Sequence, residues 1–387
     1  MALPNIHITV NRSGLGQIAY TNDGIMGLIV SGASSGDLEV GKAYAIYGLA
    51  DAERLGVEQE GDNAAAWKQI KEFYDEAGNG IKLWAILNGD NLMSTAVSGT
   101  TSTLSKLITA GAGEISAVGI CRGKNHTGTI VNGLDEDVAV TMAAVQIAAN
   151  NFQEQIMPFS AIIDGVGFTG DENTVANLHE GTKHRCSVLL AASQSDEVAS
   201  IGQLLGRLAS IPVQRKISRV KNGELTNLEG YLTDGESAVN RVGALNVLHD
   251  KGYIVYRTFP GRSGFFYSGD PTATLVTDDL NMISRNRIID KVLKIAYSTY
   301  MEELDDDIPV TEEGTLHPAV SSYLQSKVEQ QVNGNMIDEI SSFSAFVDPN
   351  QNILSGTPLE IQLAIIPKGY LNTINVTIGF SNPLLND

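Results

Sequence analysis

The chain has 387 residues, 43% of them hydrophobic, which suffices to bury a sizeable core and to build two or three domains. Its 45 acidic against 26 basic side chains leave a net charge of -19, which repels phosphate and argues against a nucleic-acid surface. No apolar run approaches the ~20 residues of a bilayer crossing, and the first residues lack the basic start and apolar block of a signal peptide. The expectation is a cytosolic product with no direct membrane insertion, and Cys121 and Cys186, each in an apolar run, are expected as buried reduced thiols.

Residues 1–20 read as a β-arm. Ile6, Ile8 and Val10 alternate with His7 and Thr9, the two-residue period of a half-buried strand, and the flexible segment 11–16 follows. Short strands are expected over 24–31 and 43–47, broken by 32–36, so that 21–49 connects the arm to the body. A regular alternation then begins. A helix over 62–77 is marked by Ala66, Ile70, Phe73 and Ala77 at three- and four-residue spacing. Strands over 81–87, 115–121, 159–164 and 187–192 are separated by helices over 101–110, 135–152, 173–184 and 196–209. Continuously apolar strands separated by helices predict an α/β domain over 50–250, with a central, largely parallel sheet covered by helices on both faces.

Residues 251–387 change character. Strands over 252–259 and 265–267 flank the turn 260–264, and a long helix over 278–303 carries Ile289, Val292, Leu293, Ala296, Tyr300 and Leu304 along one stripe. A second helix over 318–332 ends at Asn333-Gly334. The chain closes on an expected hairpin. In its first strand Leu359, Ile361 and Leu363 alternate with polar residues; in its second, after Pro367, Ile374, Val376, Ile378 and Phe380 share one face. Joined to the N-terminal strand, this hairpin predicts an α+β domain built from both chain ends. Strands at both termini, attached through soft segments, are placed to complete a sheet in a neighbouring subunit.

Four motifs invite a chemical reading. Gly165, Gly167 and Gly170 form a G-x-G-x-x-G after a strand and before the expected helix, the pattern of a dinucleotide site. Asp171 and Glu172 at that helix start would repel a phosphate, and no acid ends the next strand, so a plain glycine-rich turn is preferred. An α/β enzyme or dinucleotide-binding protein using this turn is the alternative reading. Gly119, Cys121 and Gly123 outline a nucleophile elbow, but a polar loop containing His126 follows where a helix is required. His179 and His184 are spaced by five, unlike the four-residue spacing of zinc helices, even with Cys186 nearby. The acidic run over 302–313 lacks the ligand spacing of a calcium loop. No cofactor, metal or catalytic residue is therefore expected.

Charge is segregated along the chain. Arg215, Lys216, Arg219 and Lys221 form one basic group; Arg257, Arg262, Arg285, Arg287, Lys291 and Lys294 form another, just before an acidic run containing Asp305, Asp306 and Asp307. This is either ordinary surface variation or complementarity between one face of a subunit and another face of the next.

The order of parts resembles the sheath proteins of contractile phage tails and related injection machines. The features that carry the resemblance are the N-terminal β-arm, the α/β domain, Tyr256-Arg257 before a long helix containing 286–292, a second helix, and the closing hairpin that opens at Pro358. The start of the chain, Leu3-Pro-Asn-Ile6, departs from the family's frequent Pro-Gly-Val-Tyr. The resemblance implies a structural, non-enzymatic subunit that polymerises into a helical stack of rings and contracts without hydrolysing nucleotide. It further implies an inner tail tube protein, baseplate and tail terminator proteins as partners, and a place in a virion tail assembled in the host bacterial cytoplasm. The segments exchanged between subunits would be 6–10 and 374–380.

Overall fold

A computed structural model describes residues 23–90, 92–122, 128–355 and 358–380. A seven-stranded sheet is assembled from β1 (Met26–Ser31), β2 (Ala43–Ile46), β3 (Leu83–Asn88), β4 (Ala117–Cys121), β5 (Ser160–Asp164), β6 (Cys186–Leu189) and β7 (Tyr253–Ile254). The spatial order is β7-β6-β5-β4-β1-β3-β2, parallel throughout except for the antiparallel edge strand β2. The expected largely parallel sheet is present, and β1, read from sequence as a connecting strand, lies at its interior between β3 and β4. Every residue of β1 is buried because both of its faces are covered: Met26, Leu28 and Val30 face one core, Ile29 the other.

One face carries α1 (Leu49–Leu55), α2 (Ala64–Ala77) and α6 (Ile201–Ala209); the other carries α3 (Met93–Val97), α4 (Thr103–Gly111), α5 (Glu136–Glu154) and α7 (Val242–Asp250). Helices α2 and α6 pack backbone to backbone through Gly202 and Gly206. A Cβ at Gly202 would lie 1.8 Å from the Gln69 carbonyl oxygen. The Gln69 side chain accepts from the Gly202 N–H at 2.7 Å, satisfying a free donor at the start of α6.

The helix expected over 173–184 does not form. Asp171 and Asn177 carboxyl and amide oxygens accept from the backbone N–H groups of Asn173 and His179 at 2.9 and 3.1 Å, and such local bonds compete with a helical ladder. The segment instead makes a single 3-10 turn, Leu178–Glu180, and a two-residue strand, Thr182–Lys183.

Beyond the sheet, β8 (Tyr256–Phe259) and β9 (Arg262–Tyr267) form a hairpin whose inner face, Tyr256, Phe265 and Tyr267, enters the core. Then come α8 (Ile283–Met301) and α9 (Pro318–Met336), followed by a second hairpin of β10 (Ile340–Val347) and β11 (Ile361–Pro367). Val292 and Ile295 of α8, Val328, Val332 and Met336 of α9, and Phe343 of β10 make a separate core for this C-terminal unit. The closing hairpin thus differs from expectation: β11 pairs with β10, and 371–380 enters no sheet.

Candidate subunit interface

The β10–β11 pair is a two-stranded sheet with both outer edges unpaired among the described residues. Alternation turns Ile361, Leu363 and Ile365 inward, half-buried against the α8–α9 core, with Leu359 beside them. On the outer face Phe346 and Ile366 are exposed. These open edges present the main-chain donors and acceptors that a further strand would pair with.

The chain then crosses onto the α/β domain. Lys368 donates to the Asp338 carbonyl oxygen at 2.5 Å, the Tyr370 hydroxyl donates to the Gln214 carbonyl oxygen at 2.6 Å, and the Lys216 ammonium lies 5.1 Å from the Tyr370 ring centre. Past this anchor the chain leaves the surface. Ile374 is 70% exposed, Val376 72% and Ile378 90%, and Phe380 is fully exposed. An alternating apolar segment held away from its own core is unusual for a monomer, which normally covers contiguous apolar surface. Ile6, Ile8 and Val10 lie outside the described residues.

The basic residues singled out from sequence separate into two groups. Arg287, only 2% exposed, donates to the carbonyl oxygens of Asp23 and Ile211 at 3.1 and 3.3 Å, and burial pushes its pKa down to about 10. Lys291 bridges the carboxylates of Asp23 and Glu339 at 2.7 and 2.9 Å, and burial raises the Glu339 pKa. Lys294 donates to the Gly113 carbonyl oxygen at 2.6 Å and Arg285 to that of Asp279 at 3.3 Å. On the same helix Asp290, its pKa raised by burial, takes both its bonds at 2.7 Å from the buried Arg185. These four cations have partners within the chain; Arg287, Lys291 and Lys294 fasten α8 to the α/β domain, and burial of Arg287 and Lys291 corrects their reading as electrostatic interface candidates. Arg257, Arg262, Asp305, Asp306 and Asp307 are exposed.

The enzyme-like motifs are occupied by packing. No helix N-terminus follows the Gly165–Gly170 turn, and a Cβ at Gly165 would lie 2.3 Å from the Leu190 side chain, so this glycine serves close packing. The Cys121 thiol donates to Asp164 at 3.5 Å; burial first, then that carboxylate, pushes its pKa well up and keeps it protonated. Burial likewise raises Asp164, to about 7. The Cys186 thiol donates to the Met142 carbonyl oxygen at 3.3 Å, and His179 Nδ1 lies 3.2 Å from that of Thr274. Among the described residues no three metal-ligating side chains converge, and no helix is long and apolar enough to cross a membrane.

This fold is similar to that of solved contractile sheath proteins. The helical sheath of the anti-feeding prophage in its contracted state matches with a TM-score of 0.65 at 12% identity, over 98% of this chain and 99% of that one. The sheath of an extracellular contractile injection system, the PVC sheath complex in contracted state, matches at 0.63 and 10%, over 98% of each chain. A sheath tail protein from Desulfitobacterium hafniense matches at 0.52 and 8%, over 95% of this chain and all of that one. At such identities the likeness is one of fold, and the resemblance read from the sequence is borne out at that level. The chain itself belongs to the DUF2586 family: residues 3–270 match its N-terminal domain and 279–385 its C-terminal domain. No curated protein matches the sequence.

Proposed function

We propose that the chain is a structural subunit that polymerises into a contractile sheath around a tail tube and drives tube ejection by shortening. The observation that carries this reading is the exposed apolar segment 371–380 beside a two-stranded sheet with open edges. Donated to a neighbour, Ile374, Val376, Ile378 and Phe380 would cover apolar surface such as Phe346 and Ile366 while the backbone pairs with an edge strand. The alternating residues Ile6, Ile8 and Val10 would supply a second donated strand, so that the C-terminal unit is completed by ends from sister copies. Its partners would be a tube protein on the inside and baseplate and terminator proteins at the two ends of the stack, in a phage tail or an injection machine.

Electron microscopy of the full chain at high concentration tests this, alongside variants lacking residues 1–16 or 371–387. Ordered tubes are expected from the full chain alone. Tubes of unchanged abundance from both truncated variants would remove strand donation from the account.

A further inference from the structure

We propose that the β8–β9 hairpin is a docking site for an acidic segment of a second copy, residues 305–307, in a head-to-tail contact that does not depend on the terminal strands. It rests on the self-assembly reading above.

Arg257 lies opposite Phe266 and Phe259 opposite Arg262, with a register shift between the two pairs, and ring contacts group these four side chains around the buried Phe266. The two rings meet edge to face with centres 5.3 Å apart. The Arg257 guanidinium lies 4.2 Å from the Phe259 ring centre and that of Arg262 5.6 Å from Phe266. Stacking on an aromatic face restrains a guanidinium while leaving its five donors free, which suits it to grip a carboxylate with two parallel bonds. Both arginines are exposed, and among the described residues neither is seen with an ion pair or hydrogen bond. By contrast Arg122, Arg185, Arg207 and Arg241 each hold a carboxylate. The nearest acid along the neighbouring loop, Glu224, accepts from the Ser263 hydroxyl at 3.1 Å instead.

The complementary group stands at the far end of α8. Lys327 pairs with Glu302 and Glu303, and among the described residues Asp305, Asp306 and Asp307 are exposed with no cation paired to them. The start of α8 is tied to the end of the hairpin segment, the Ile283 N–H donating to the Asp270 carbonyl oxygen at 2.9 Å, and the acidic segment follows its other end. A 19-residue helix is ~28 Å long, and the acidic segment follows the end of α8 opposite to the one tied to Asp270. A second copy satisfies both. Because the two surfaces are different, each contact leaves one of each kind free, and the arrangement repeats into a ring or an open helix. In a chain with 45 acids and 26 bases, a specific basic grip is what overcomes the general repulsion between copies.

Charge reversal and exchange in the full chain test the assignment. Arg257→Glu with Arg262→Glu, and separately Asp305→Lys, Asp306→Lys with Asp307→Lys, are each expected to raise the protein concentration needed for tube formation at least tenfold with no change in Tm. Combining all five is expected to restore it. Unchanged assembly in the first variant overturns the docking site while leaving strand donation standing; loss in both without recovery in the combination overturns the acidic segment as its occupant. If the unaltered chain forms no tubes, the sheath reading falls, and sedimentation velocity reads the docking alone. Self-association must then weaken in each reversal and return in the combined variant.

Discussion

Replacing Ile374, Val376, Ile378 and Phe380 together by serine separates assembly from folding. All four are at least 70% exposed, so they contribute almost nothing to the stability of the isolated chain, and surface changes of this kind stay within about 0.5 kcal/mol each. In a donated strand the same side chains go from exposed to covered. Burying one large aliphatic or aromatic side chain is worth roughly 1.5–3 kcal/mol, which gives about 6–12 kcal/mol for the four in every subunit contact. Even the lower figure, at about 1.4 kcal/mol per tenfold, weakens each contact by about four orders of magnitude. Calorimetry of the dilute protein is expected to show an unchanged Tm, and sedimentation with electron microscopy to show no tubes at concentrations where the unaltered chain polymerises. Two results refute the reasoning: tubes at the original concentration, or a Tm lowered by several degrees, which would mean the segment packs within its own subunit.

Gly202→Ala drives a Cβ to 1.8 Å from the Gln69 carbonyl oxygen and is expected to cost about 3 kcal/mol or more in urea unfolding, whereas Gly243→Ala in α7, with open space around it, stays neutral or gains up to about 1 kcal/mol. Lys291→Met strands the carboxylates of Asp23 and Glu339 in a half-buried site and is expected to cost about 3–5 kcal/mol, read from the same unfolding curves. Asp164 has its pKa raised by burial from 3.8 to about 7, so the folded state holds this proton more tightly than the unfolded one. Stability from this group is therefore full below about pH 4 and lost as pH rises towards about 7, by roughly 4 kcal/mol at most. Asp164→Asn is expected to flatten that part of the stability profile, and an identical slope in both proteins would refute the assignment.

The parallel sheet was legible because its strands are covered on both faces and read as continuous apolar runs, such as 160–164 and 186–189. The interior place of β1 was not, since an apolar run announces a strand without saying which strands flank it. The strand β10 is faint in the sequence because Ser341, Ser342 and Ser344 dilute its pattern, although Phe343 and Val347 keep the inward alternation. On α8 the cations Arg287, Lys291 and Lys294 recur at three- and four-residue spacing, which defines a stripe but leaves open whether it meets water or another domain. Here it meets the α/β domain, whereas Arg257 and Arg262, the two stacked on phenylalanines, stay exposed. The sequence did mark the alternation of 374–380, while the strand that would pair with it is not found within the described chain.

The position of α8 bears on how force would travel if the sheath reading holds. Arg185 with Asp290, Arg287 with the Asp23 carbonyl, and Lys294 with the Gly113 carbonyl fix the middle of this helix to the α/β domain. Breaking buried charge pairs is expensive, so the two units are expected to move as one body. The same helix holds Asp23 and the root of the C-terminal segment: Lys291 pairs with Asp23 and with Glu339, which lies beside the Asp338 carbonyl that anchors Lys368. A neighbour pulling on either end therefore pulls on one rigid helix. The compliance needed for subunits to reorient would then reside past Tyr370, where residues 371–380 are exposed.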